Sequence, residues 1–273
     1  GVLDTMAELL QQLPPRLEAD ETEARAKRAR DPLSLCLVQE LRRANRVLRH
    51  VRLSLDDATG ALEGTTALSD ETAKTIQSIS TAQVPASWRK VSHASHQPLG
   101  AWFLDLLARV EQLERWKDGG HLASVWISGL FNAPGLLLAI RQDIARDKGW
   151  LPLEQVRTSV VVTGSGWDDQ AEEVSSQVLI YGMFMEGARW DGTEEVLTSQ
   201  ILNAPRPRFP VCRVGAIRVG DVDPSMKSGA LVYDCPVYAS PSRRGGPCFS
   251  LPLPSFEAPS KWHAAAAALL LSL

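Results

Sequence analysis

The sequence predicts an α+β fold: an N-terminal helical subdomain over residues 1–150, then an antiparallel β-barrel over residues 151–273. Three observations predict it. Before residue 150, apolar residues recur at three- and four-residue spacing, the period that lays side chains along one helix face. After it, short β-branched and aromatic runs alternate with Gly, Pro, Asp and Ser clusters, the pattern of strands joined by turns. At 273 residues the chain also reaches the length at which one hydrophobic core stops growing, which favours two cores over one.

Leu3, Met6, Leu10 and Leu13 mark a first helix that Pro14-Pro15 ends. Residues 16–31 are charged with both signs, and Glu21/Arg25 and Glu23/Lys27 have the i,i+4 order that supports an exposed helix or linker. Asp31-Pro32 is a helix start, with Asp able to cap free N–H groups and Pro pre-set for the first helical position. The following helix carries Leu37, Leu41, Leu48, Val51 and Leu55 on one stripe, while Arg42, Arg43, Arg46 and Arg49 lie mostly elsewhere. Leu62 to Ile79 reads as a further helix, which Ser69 is able to restart.

Val84 to Trp88 and then Ser92 to Pro98 form an irregular connection, in which His93 and His96 read as loop residues in solvent rather than metal ligands. Leu99, Trp102, Phe103, Leu106, Val110, Leu113 and Trp116 give a broad helical face that Asp118-Gly119-Gly120 stops. Val125 to Phe131 is an apolar segment, and Asn132-Ala133-Pro134 starts the last helix, which closes near Gly149. Strand runs follow at Val156–Thr163, Val178–Glu186, Val211–Val219, Ala230–Tyr238 and Cys248–Leu253. Gly164-Ser165-Gly166 reads as a turn and Asp168–Glu173 as an acidic loop.

Composition narrows the function classes. With 44% hydrophobic and 22% charged residues the balance is that of a soluble globular protein. A formal charge of −3 disfavours a nucleic-acid partner. Ala264 to Leu273 is the longest nearly apolar run, well short of the roughly twenty residues that span a bilayer, so no membrane partner is expected. Cys36, Cys212, Cys235 and Cys248 form no CxxC pair, which points to reduced thiols rather than a zinc site. The chain opens at Gly1 without a leader, as a piece of a longer protein would.

Two glycine-punctuated blocks organise the sequence: Ser124 to Pro134 (SVWISGLFNAP) and Val178 to Gly192 (VLIYGMFMEGARWDG). Around them stand Val84-Pro85 with Trp88, then Pro98-Leu99-Gly100, then Cys235-Pro236-Val237-Tyr238 with Ser242-Arg243-Arg244-Gly245, and finally Trp262. In this order the blocks resemble the C-terminal domain of dynein heavy chains, and the Tyr181 to Asp191 form resembles the axonemal branch. The resemblance implies a helical subdomain and a β-barrel lying on the AAA+ ring of an ATP-driven, minus-end-directed microtubule motor. Other dynein subunits and microtubules would be partners through the rest of that motor, in the axoneme of a cilium or flagellum. After Trp262 the sequence departs from the family: a charged residue, Gly and an apolar strand are expected there, whereas Ala264 to Ala268 favours helix by propensity.

No catalytic constellation is legible. Gly164-Ser165-Gly166 is too short to cradle a phosphate, no Walker sequence occurs, and neither Ser128-Gly129 nor Ser165-Gly166 makes a nucleophile elbow. Glu186, Asp191 and Glu194 could be drawn as paired acids, but the separation that matters is spatial. No catalytic residue, metal ligand or cofactor is therefore expected. The candidate interface or barrel-corner residues are Trp126, Phe131, Glu186, Arg189, Trp190 and Asp191. For Arg189 two readings stand: a docking contact, or a clasp to Asp191 or Glu186. A self-standing ligand-binding β-module with a helical prefix is the rival function, and an uncharacterised hydrolase a more remote one.

Overall fold

The computed structural model describes the protein except residues 94, 121–123, 164–176, 202–204, 222, 224, 225, 227 and 273. The turn expected at Gly164 to Gly166 and the acidic loop Asp168–Glu173 lie outside the described residues. The helices are α1 (Val2–Gln12), α2 (Asp20–Ala29), α3 (Pro32–Leu62), α4 (Asp70–Ser80), α5 (Ala86–Val91), α6 (Leu99–Gly119), α7 (Ala133–Lys148) and α8 (Pro259–Ala264). The strands are β1 (Ser124–Trp126), β2 (Val156–Val162), β3 (Val178–Tyr181), β4 (Phe184–Glu186), β5 (Arg189–Asp191), β6 (Val196–Thr198), β7 (Cys212–Arg218), β8 (Leu231–Tyr238), β9 (Phe249–Ser255) and β10 (Ala268–Leu270). The fold is thus mixed α+β.

Local chemistry sets the helix starts. Asp31 accepts a hydrogen bond from Leu33 N at 3.0 Å and Pro32 occupies the first position of α3. Ser69 accepts from Thr72 N at 3.1 Å and starts α4, so the run expected as one helix from Leu62 is two helices with a loop between them. Residues 20–29 are helical, with Glu23 bridging Lys27 at 2.6 Å and Arg42 of α3 at 2.5 Å.

Among the described residues the strands do not close into an antiparallel barrel. Among the described residues they make two open four-stranded sheets, β1-β3-β7-β2 and β4-β10-β8-β9, and a ribbon β5-β6. Both larger sheets are mixed, because β1 runs parallel to β3 and β10 parallel to β8. A parallel neighbour must come from a distant crossover rather than a hairpin: β1 comes from the helical half and β10 follows α8. The run Val178–Glu186, expected as one strand, breaks at Gly182 (φ +94°) and passes from the first sheet to the second. The sheets touch where β2 meets β9, and α7 lies between α3 and the β2-β7 face. One hydrophobic core runs from Met6 of α1 to Leu269 of β10.

The alanine run is only partly helical. Helix α8 stops at Ala264, and Ala268–Leu270 form β10 between β4 and β8. Tertiary contacts override propensity here. The Tyr233 hydroxyl donates to the Ala267 carbonyl at 2.7 Å, Arg243 donates to the Ala266 carbonyl at 2.8 Å, and buried Trp262 donates to Ser255 Oγ at 2.8 Å.

Candidate functional site

The two glycine-punctuated blocks meet at one residue. Trp126, at the end of β1, pairs in register with Tyr181 of β3, and its ring covers both Gly129 and Gly182. A Cβ on either glycine would stand 2.3 Å from the indole, so neither position has room for a side chain. Ser128 Oγ donates to the Gly182 carbonyl and fastens the two blocks together. From α6, Gln112 holds the Trp126 backbone in both directions: Trp126 N donates to Oε1 at 2.7 Å, and Nε2 donates to the carbonyl at 3.1 Å.

Beside this junction lies a buried polar network that sequence reasoning missed. Glu40 of α3 is fully buried and accepts hydrogen bonds from Phe131 N (2.6 Å) and Asn132 N (2.8 Å), the free amides just ahead of α7. It caps a helix that begins more than ninety residues later. Burial pushes its carboxyl above the ordinary glutamate value, against the pull of the two amides and the Arg43 and Arg109 charges. Arg109 of α6, 5% exposed, donates to Asp105 at 2.6 Å, and its guanidinium lies 5.3 Å from the Trp126 ring centroid and 5.8 Å from that of Phe131.

His93 is not a solvated loop residue. Its ring stacks on Trp102 at 5.8 Å, and Nε2 lies 2.7 Å from Asp105, within ion-pair range but without the alignment of a hydrogen bond. Burial lowers its pKa below 6.5 despite that carboxylate. The signal that could have found this network is positional. Glu40 follows Leu37 by three residues, and Arg109 stands at a face position between Leu106 and Leu113, so each is a charge within an apolar stripe.

Glu186, Arg189, Trp190 and Asp191 lie elsewhere, where β4 passes into β5. Glu186 bridges Arg206 (2.8 Å) and Arg243 (2.7 Å), which hold its carboxyl below the usual range although burial opposes them. Gly187 (φ +73°) packs on the α8–β10 connection, and a Cβ there would stand 2.4 Å from the Ala265 carbonyl. Arg189 and Asp191 approach only to 3.9 Å, with 41% and 27% of their side chains exposed. Asp191 Oδ1 instead accepts from Thr193 N and Glu194 N at 3.0 and 3.1 Å, shaping the turn of the ribbon. Trp190 meets Phe209 edge to face at 5.9 Å, beside a cleft of about 210 Å³ whose lining includes Ile201, Pro205 and Pro207. Trp126 and Phe131 therefore belong to one cluster and Glu186 to Asp191 to another.

Cys36 and Cys235 are buried, and desolvation pushes both thiols up to about 12, so they are protonated and poorly nucleophilic. Among the described residues no group of three His, Cys, Asp or Glu residues could hold a metal, and no helix is long and apolar enough to cross a membrane.

A sequence profile for the C-terminal domain of the dynein heavy chain matches residues 1–271. The protein is 32% identical over 269 residues to the ciliary dynein beta chain of Heliocidaris crassispina, a match that takes in 97% of its length. It is 32% identical over 278 residues to human dynein axonemal heavy chain 17, over its whole length, and 31% identical over 269 residues to human dynein axonemal heavy chain 9, over 98% of its length. In turn it spans about 6% of the length of these relatives.

Proposed function

We propose, from the premise that this chain belongs to the family of C-terminal domains of dynein heavy chains, that it is a structural and regulatory cap on the AAA+ ring of an axonemal heavy chain. In this reading the segment has no reaction of its own. It serves an ATP-driven, minus-end-directed microtubule motor of the axoneme, whose ATP sites and track-binding surfaces lie in other parts of the heavy chain. Residues 1–150 and 151–273 act as linked subdomains.

The observation that carries the reading is the interlock at Trp126. It joins helices and sheets through shape and hydrogen bonds, so a displacement on one side is passed to the other rather than absorbed at a hinge. A body that touches several ring modules favours one ring state only by binding it better than the others. A difference of about 1–3 kcal/mol is enough to shift affinities roughly 5- to 150-fold. Chemistry within the segment finds less support: the buried thiols are protonated, and Glu186 is bridged by two arginines.

The test compares full heavy chain with heavy chain lacking residues 151–273 and with a Trp126→Ala heavy chain. Microtubule-stimulated ATPase, gliding velocity and stall force are read for each. A change in at least one of the three for both variants is expected; values identical to the parent in all three would end the proposal.

A further inference from the structure

Helix α3 and the segment joining α1 to α2 enclose a groove of about 700 Å³ whose rim holds five arginines: Arg16, Arg42, Arg46, Arg49 and Arg52. Among the described residues no acidic side chain lines it. The protein as a whole has a formal charge of −3, so this concentration of positive charge is local.

The groove is built rather than incidental. Asn45 pairs with the Leu17 backbone in both directions, donating to its carbonyl and accepting from its N–H, each at 2.8 Å. Arg52 donates to the Leu13 and Pro14 carbonyls, each at 3.0 Å. These bonds fasten the segment around Pro14-Pro15 onto α3.

The other guanidiniums differ in how they are used. Arg42 is shared with Glu23, whereas Arg16, Arg46 and Arg49 have no carboxylate partner among the described residues. Arg42, Arg46, Arg49 and Arg52 follow one another at three- and four-residue steps, where like charges on a helix repel. Carboxylates arriving from outside at matching spacing would relieve that repulsion. At the end of the row Leu53 stands 51% exposed beside buried Leu48, offering an apolar contact next to the charges.

We infer that this groove is a docking surface for an acidic polypeptide segment, one with carboxylates at three- to four-residue spacing and an apolar residue that covers Leu53. The arginine fork suits carboxylates pairwise, and Leu53 favours a peptide over a free anion. The inference uses only α1 to α3 and their connection and does not depend on the ring-cap reading.

Fluorescence anisotropy tests it, with a labelled helical peptide rich in Glu and bearing Leu on one face, against the 273-residue chain. A second peptide has Gln in place of every Glu. Saturable binding of the Glu peptide is expected, at least about tenfold weaker for Arg46→Glu/Arg49→Glu and falling steeply as salt is raised. The milder Arg46→Gln/Arg49→Gln should weaken binding less, and Lys90→Glu on α5 should leave it unchanged. Thermal unfolding of each variant separates lost binding from lost fold. Equal affinity for the Gln peptide, equal affinity of the charge-reversed variant, or no saturable binding overturns the inference. Binding of inorganic tripolyphosphate without binding of the Glu peptide overturns it in favour of a phosphate site.

Discussion

At Trp126 a buried arginine lies against the indole, an amide side group grips the backbone from both sides, and two glycines admit the ring with no space left over. At Trp190 the adjacent arginine is 41% exposed, its nearest carboxylate is 3.9 Å away, and the ring borders an open cleft. Both regions pair Arg with Trp, yet the first is desolvated and closed while the second is only partly buried beside a cleft. The same residue types therefore hold the molecule together in one place and leave contact surface in the other. Burial decides which, because desolvation raises the cost of any imperfect partner.

The comparison breaks first at the glycines. Gly182→Val should cost about 3–5 kcal/mol, from overpacking against Trp126 and a side chain forced to positive φ. Urea unfolding reads this directly. Because Gly129 has no positive φ, its Ala variant tests the packing alone: Trp126→Ala should recover most of the stability lost in Gly129→Ala, and strict additivity of the two changes would contradict the interlock.

Glu40→Ala comes next, at about 3 kcal/mol, since it strips two buried amides of their acceptor. Glu40→Gln, which keeps one acceptor, should cost about 1–2 kcal/mol. It should also alter the pH profile. The folded carboxyl titrates above its ordinary value of 4.5, so the native state holds a proton that the unfolded protein has released. Stability from this group is full below pH 4.5 and lost as pH rises through the folded pKa, and the Gln variant should lack that loss.

His93 has the opposite sign. Its folded pKa lies below 6.5, so acidification protonates the unfolded protein first. Stability present above pH 6.5 is lost as pH falls toward the folded pKa, at up to about 1.4 kcal/mol per pH unit. His93→Gln should flatten that slope just below pH 6.5, and an unchanged slope would place the titration elsewhere.

The smallest effect sharpens the contrast. Arg189→Ala should cost less than about 0.5 kcal/mol, as a partly exposed, loosely paired arginine contributes little. A loss as large as that of Glu40→Ala would erase the distinction between the two regions.

How much is legible in the sequence differs between the two sites. The Trp126 block and the Gly182 block stand out through their glycines, and the candidates Trp126 and Phe131 do share a cluster. The sequence does not show that each glycine faces the same indole, since β1 and β3 are separated by more than fifty residues and paired in parallel. Glu40, Arg109 and Gln112 escape sequence reasoning because a charge or amide on an apolar stripe has no local signature of the partner it will find. His93 reads as solvated because its carboxylate neighbour, Asp105, becomes adjacent only when α6 folds back past the loop.

The sequence by itself determined the long helices α3, α6 and α7 and the starts of α3 and α4, through Asp31-Pro32, Ser69 and the apolar stripes, though it read the short helix α5 as irregular chain; it also determined the family through ordered blocks from Val84 to Trp262. These rest on contacts within a few residues, whose geometry spacing alone dictates. Only the tertiary structure decided that the strands form two open mixed sheets, that Ala268 to Leu270 is a strand despite the alanines before it, and that α3 caps the start of α7 through Glu40. The physical reason is common to all three. Sheet order, final-strand pairing and buried capping depend on groups far apart in sequence, where packing and desolvation outweigh the fraction of a kcal/mol that local propensity supplies per residue.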